Sequence, residues 1–215
     1  MGLCAQSCRW KYSVVEELRP NEYMPVFEDS RGTYIFNSRD LCMIEHIPQL
    51  IEAGISSFKI EGRMKGINYL ASTVKTYREA IDTYYNNRKN YAIKKEWLKE
   101  LSIISNRTYC TGFYFDDPEE ILANFTNDSP DVTHLFVGKI LENTSQNHMK
   151  VQIRNKIETG DIVEVLPKHG VARQDRILKI INNKQTSVSV AQPNEIVIIQ
   201  FNRNYPPTNL IRKRQ

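Results

Sequence analysis

Three of the chain's four cysteines stand in two dense polar motifs, Cys4-Ala5-Gln6-Ser7-Cys8-Arg9-Trp10 and Asn37-Ser38-Arg39-Asp40-Leu41-Cys42. Thiolates are ligands for zinc and for iron–sulfur clusters, and clustered thiols in a reducing compartment serve metals or catalysis more often than a disulfide framework. The spacing therefore predicts a cluster or metal site at Cys4, Cys8 and Cys42. A second concentration of charge is Phe58-Lys59-Ile60-Glu61-Gly62-Arg63-Met64-Lys65. If residues 55–60 form a buried strand, Glu61 and Arg63 stand just beyond its carboxyl end, where α/β barrels and doubly wound sheets place reactive groups. The same two side chains would equally make an exposed ion pair of small energetic worth. Proteolysis is poorly served: there is no His-Glu-x-x-His segment, and His46, His134, His148 and His169 show no triad spacing. Cys8 with His46 is the one thiol–imidazole pairing left to a cysteine peptidase.

The elements that must carry these residues follow from periodicity. Trp10 to Glu16 and Tyr23 to Phe27 read as extended chain around the turn-prone Arg19-Pro20-Asn21, and Thr33 to Phe36 as a further short strand. Leu41, Ile44, Ile47, Leu50 and Ile51 recur at helical spacing, restart at Pro48 and stop at Gly54. Ile55 to Ile60 is then expected as a strand, and Glu61 to Gly66 as the loop before a helix from Ile67 to about Asn86. The stripe Leu70, Ala71, Val74, Tyr77, Ile81 and Tyr84 of that helix is expected in the core. Residues 91–131 read as a partly ordered connector whose Tyr109, Phe113, Tyr114 and Phe115 pack onto a domain surface rather than stack on bases. From Phe136 onward, six runs at Val137–Leu141, Met149–Arg154, Asp161–Leu166, Arg176–Ile181, Ser187–Val190 and Glu195–Phe201 predict a small antiparallel β-barrel.

A chain of 215 residues with 40% apolar content suits two modest domains. No run approaches the roughly 18 apolar residues needed to cross a bilayer, and the first residues lack the pattern of a signal peptide. Gln6 stands where the myristoylation motif requires Ser or Thr, so that modification is not expected. A cytoplasmic location without membrane attachment is the expectation. Residues 1–130 carry 16 basic and 18 acidic side chains, against 13 and 7 in residues 131–215, so the net excess lies wholly in the second part. Such a localised basic surface suits contact with tRNA or another RNA, and suits plain solvation as well.

Taken in order, Cys4 to Tyr12, Tyr34 to Cys42, Phe58 to Lys65, Thr111-Gly112-Phe113-Tyr114-Phe115, Phe136-Val137-Gly138 and Leu210-Ile211-Arg212-Lys213 resemble the collagenase-like peptidase family, the thirty-second among peptidases of unknown mechanism. The resemblance spans nearly the whole chain and corresponds to the carboxy-terminal portion of a full-length member. It implies an incomplete TIM-like α/β barrel followed by a small antiparallel β-barrel: residues 1–90 a partial α/β-barrel region with the cysteine cluster, 91–131 a connector, and 132–215 a basic β-barrel domain. Members of the family include bacterial proteins required for 5-hydroxylation of the tRNA wobble uridine, with prephenate as a precursor. It therefore implies RNA modification through an iron–sulfur cluster held by Cys4, Cys8 and Cys42. Cys110 stands where relatives usually have another residue and is left out. The fourth cysteine is expected upstream, so the isolated chain is expected to be incomplete and a second chain supplying the amino-terminal half is an implied partner. Glu61, Arg63 and Lys59 would then furnish charge for an anionic substrate or a nucleotide phosphate. The alternatives are a cysteine- or metal-type peptidase, and a module that binds RNA or protein without catalysis.

Overall fold

The computed structural model describes residues 10, 12–15, 23–24, 39–63, 65–105, 109–115 and 134–214. The chain divides into two units, Met1–Met43 with Ser105–Asp131, and Ile44–Ile104 with Val132–Gln215. In the first unit β1 (Val14–Val15) pairs antiparallel with β2 (Tyr23–Met24), within the stretches expected to be extended. The short parallel pair of β3 (Asp40–Leu41) and β4 (Tyr109–Cys110) sets Asp40 opposite Tyr109 and Leu41 opposite Cys110. After β4 the chain turns at Gly112, φ +59°. The aromatics beyond it do not pack as expected: Phe113, Tyr114 and Phe115 are 81%, 62% and 55% exposed. The expected strand at Thr33 to Phe36 lies outside the described residues.

In the second unit, a 3-10 turn at Ile44–His46 runs into α1 (Ile47–Glu52), with Pro48 in its first turn, where a missing N–H costs nothing. The helix stops as predicted at Gly54. Its φ of +81° lets Gly54 N–H reach Ile51 O and Ile55 N–H reach Leu50 O, the paired bonds of a Schellman cap. The strand expected at 55–60 does not form. A strand needs a neighbour to take its backbone N–H and C=O groups; among the described residues none lies beside this segment, and Ile55, Ser56, Ser57 and Lys59 are exposed. The strand-to-helix unit expected from Ile55 to Asn86 is therefore a loop followed by a helix.

Helix α2 (Ile67–Asn86) occupies its predicted span, but its buried face is not the apolar stripe. Ser72, Thr73, Thr76, Ala80 and Tyr84 are buried, while Ile67, Leu70 and Val74 are 47%, 39% and 51% exposed. Small residues on the inner face suit close helix packing, and α3 (Lys95–Ile104) packs there, burying Trp97, Glu100, Leu101 and Ile104 at helical spacing. Tyr84 ties α2 to α1 by donating to Glu52 Oε1 at 2.6 Å.

The rest of the unit is β. In chain order the strands are β5 (His134–Ser145), β6 (His148–Ile153), β7 (Ile157–Glu158), β8 (Ile162–Leu166), β9 (Arg173–Arg176), β10 (Lys179–Ile181), β11 (Ser187–Val188), β12 (Val190–Ala191), β13 (Ile196–Gln200) and β14 (Leu210–Arg214). Eight of them form one antiparallel sheet in the order β11-β10-β13-β6-β5-β14-β8-β9, curled into a half-barrel, and β7 with β12 makes a separate ribbon. Alternation decides what is inside: Met149, Val151 and Ile153 on β6 and Val197 and Ile199 on β13 enter a core with Ile140, Ile177, Phe201 and Ile211. The predicted Arg176–Ile181 strand is split, because Ile177 bonds to Asp161 O and Leu178 to Gln200 O. Among the described residues no helix is long and apolar enough to cross a membrane.

Candidate functional site

Cys42 follows β3 directly, half-buried, and its N–H donates to Cys110 O at 2.9 Å. Closeness of backbone is not closeness of thiols. Paired residues of a parallel ladder share a face and the next residue points to the other, so Cys110 lies on the Leu41 face and Cys42 on the opposite one. A Cβ built at Gly112, in the turn beyond β4, falls 3.3 Å from Leu41 Cδ1. Cys4 and Cys8 lie outside the described residues, among which no group of three His, Cys, Asp or Glu is placed to hold a metal. What can be matched to an iron–sulfur cluster is therefore the donor chemistry of Cys42, a half-buried thiol.

Lys59, Glu61 and Arg63 share the loop between α1 and α2 and are all exposed. Arg63 N–H donates to Glu61 Oε1 at 2.9 Å, an interaction that shapes the loop. Gly62 lies against α2 so closely that a Cβ would meet Leu70 Cδ2. The Lys65 ammonium lies 5.0 Å from the centroid of the Tyr69 ring on α2. The loop is thus seated on the start of α2, with its three charges facing solvent.

The densest polar arrangement was not nominated from sequence. β14 is covered on both faces: Ile211 enters the barrel core, while Leu210 and Arg212 point outward and are nevertheless buried. Arg212 is 1% exposed. Its guanidinium grips Glu100 of α3 with Nη1 to Oε1 at 2.7 Å and Nη2 to Oε2 at 2.9 Å, and its Nε donates to Glu164 Oε2 at 2.9 Å. Glu164 sits directly opposite Arg212 on β8. Ser72 of α2 completes the group by donating to Glu100 Oε1 at 2.5 Å. Burial alone would raise the Glu100 carboxyl, but the bonds and charge of Arg212, the Ser72 hydroxyl and Lys75 outweigh it and hold its pKa below the ordinary value. Burial would likewise lower Arg212, and Glu100 and Glu164 reverse that. His134 is pushed down by burial despite Glu164 at 3.6 Å. The sequence signal for this clamp is a glutamate inside the apolar stripe of α3, Trp97-x-x-Glu100-Leu101-x-x-Ile104.

A second buried carboxylate, Asp175, accepts from Tyr205 Oη at 2.7 Å, Asn202 Nδ2 at 2.7 Å and the Arg176 and Asn202 amides. Burial would raise it; the hydroxyl, carboxamide and amide donors together bring its pKa below the ordinary value. Every oxygen is answered from within the barrel, so the group is structural.

The profile of peptidase family U32 matches residues 1–124, and that of the peptidase family U32 C-terminal domain matches residues 132–212. The chain belongs to peptidase family U32. Among its relatives, tRNA hydroxylation protein P1 of Bacillus subtilis (strain 168) is 34% identical over 214 residues, covering 99% of this chain and 50% of that protein. The tRNA hydroxylation protein P of Escherichia coli (strain K12) is 34% identical over 209 residues, covering 79% and 46%. A protein named collagenase from Porphyromonas gingivalis matches 113 residues at 34% identity, covering 53% and 26%. The U32 chain spans about half the length of the curated relatives it matches over most of its own. A crystal structure of the C-terminal domain of a Geobacillus thermoleovorans U32 peptidase covers 37% of this chain and 91% of its own, at 26% identity and a TM-score of 0.34.

Proposed function

We propose that this U32 chain takes part in 5-hydroxylation of the wobble uridine of tRNA, acting in the cytoplasm. The observation that carries the proposal is its 34% identity, across 99% of its length, with a tRNA hydroxylation protein. In this reading Cys4, Cys8 and Cys42 are thiolate ligands of an iron–sulfur cluster, and residues 1–90 contribute to an α/β barrel completed by further chain. The cluster, when bound, supplies electron transfer or an iron site for substrate. The protein's own contribution is positional. Lys59 and Arg63, exposed on a loop seated against α2, offer cations to a nucleotide phosphate, and Glu61 holds that loop through the Arg63 amide. The Arg212 clamp fixes α2 and α3 on the basic half-barrel, so that the loop is presented from a rigid support.

The test is nucleoside analysis of tRNA from the source cells with the gene deleted and then restored as wild type or Cys42→Ser. Loss of the 5-hydroxyuridine derivatives on deletion, rescue by wild type and failure of Cys42→Ser is the expected pattern. Unchanged modification on deletion would overturn the proposal. Likeness to a protein named collagenase favours a second reading, a cysteine peptidase with Cys8 as its nucleophile. Cleavage of gelatin abolished by Cys8→Ala, with tRNA unaffected by deletion, would establish that reading instead.

A further inference from the structure

Helix α2 and the loop from β8 to β9 enclose a groove of about 290 Å³, a volume at the low end of small-molecule sites. Its floor is apolar, formed by Val74, Leu166 and Pro167, and its rim carries the Lys75 and Lys168 ammonium groups and the His169 imidazole. Arg78 also lines it, but that charge is answered by Asp82 at 2.6 Å. Among the described residues no carboxylate lines the groove.

Lys75 makes no such direct pair, although the charges of Glu100 and Glu79 act on it. The side chain is half-buried and makes no hydrogen bond or ion pair among the described residues. Its nearest carboxylates are committed elsewhere: Glu100 to Arg212 and Ser72, and Glu79 to Trp97 Nε1 at 3.2 Å and Gly170 N–H at 2.7 Å. Burial lowers the Lys75 pKa, outweighing the opposing charges of Glu100 and Glu79. Lys168 likewise has no partner among the described residues, and it is exposed at the mouth. The walls are held in place. The Glu79–Gly170 bond staples the β8–β9 loop to α2, with Gly170 at φ +78°. On the far side Thr208 is kept at φ +75°, a region a threonine rarely adopts, by its N–H bond to Ile140 O at 2.8 Å.

We propose that this groove holds one nucleotide of an RNA strand, its phosphate between Lys75 and Lys168 and its base or ribose on the apolar floor beside the His169 ring. The proposal rests on the tRNA reading above and assigns it a contact surface. Cations without competing carboxylates suit a phosphodiester, and an imidazole beside an apolar floor suits the face of an unstacked base. The basic excess of residues 131–215 supplies the longer-range attraction.

The test is the affinity of the full chain for fluorescein-labelled tRNA, by anisotropy between 50 and 300 mM KCl, for wild type, Lys168→Ala, His169→Ala and Lys184→Ala. Lys184 is exposed in the turn between β10 and β11, outside the groove. Lys168→Ala is expected to weaken binding several-fold and to reduce the slope of log K against log salt by about 0.7, one phosphate contact on a single strand. His169→Ala should weaken binding with little change in that slope, as loss of a stacking ring does, and Lys184→Ala should stay within twofold. Wild type that binds while Lys168→Ala and His169→Ala match Lys184→Ala overturns the groove and leaves the tRNA reading standing. Wild type that does not bind at 50 mM KCl also overturns the groove. The tRNA reading itself is decided separately by the nucleoside analysis, so the two failures are distinguishable.

Discussion

Replacing Glu100 with Gln keeps the size of the side chain and removes its charge beneath a guanidinium that is 1% exposed. Glu100 receives three short hydrogen bonds, two from Arg212 and one from Ser72. Gln can accept with one oxygen, but its amide nitrogen must then face an Arg212 N–H, donor against donor. Arg212 keeps Glu164 Oε2, which is partly exposed and screened. Removing one partner of a buried pair costs about 3–5 kcal/mol, because the other charge stays desolvated. Glu100→Gln and Arg212→Met should each therefore destabilise the folded unit by about 3–4 kcal/mol, or about 10 °C in Tm for a unit of this size. The double variant Glu100→Met with Arg212→Met should recover most of that loss, since an apolar pair can replace a buried ion pair at little cost. Urea denaturation followed by Trp97 fluorescence is the assay, since Trp97 is buried in α3. The pH dependence has a fixed sign: the folded pKa of Glu100 is depressed, so its contribution is complete above the ordinary value of 4.5 and is lost as pH falls through the lower folded value. The gap between wild type and Glu100→Gln should be flat from pH 8 to 5 and narrow below 4.5. Single substitutions costing under about 1 kcal/mol, or a double variant as unstable as the two losses added together, would refute the buried clamp.

Cys42→Ser should abolish iron and acid-labile sulfide in anaerobic preparations of the chain co-expressed with the amino-terminal half of a relative, whereas Cys110→Ser should leave both unchanged; equal loss in the two would contradict the opposite facing of their side chains. At Gly138 an added Cβ would collide with the Gln152 carbonyl, so Gly138→Ala should cost about 2 kcal/mol or more in urea melts, and a neutral result would show that β5 and β6 can separate there. Asp175→Asn should lose about 2 kcal/mol at neutral pH by weakening the Tyr205 and backbone-amide bonds. Since the Asp175 pKa is also depressed, that deficit should shrink as pH falls below its ordinary 3.8, and a deficit independent of pH would argue against a charged Asp175.

Where only near neighbours in the chain were needed, the sequence was legible. The stop at Gly54, the span of α2 and the alternating strands of β6, β8 and β13 all follow from local turn chemistry and side-chain period. The order of the motifs likewise carried the resemblance to the U32 family, because it depends on residue identity alone. Three things depended on what packs against what. Residues 55–60 have the composition of a strand but no strand beside them among the described residues, and a ladder cannot form from one side. The inner face of α2 is its small polar side because α3 occupies that side, bringing a glutamate that Ser72 can bond. Arg212 reads as one more basic residue near the end of a basic domain. Only the covering of β14 by α3, 112 positions away in sequence, turns it into a buried ion gripped by two carboxylates. Local pattern determines which elements form; which of their faces is buried is settled by neighbours that no local pattern names.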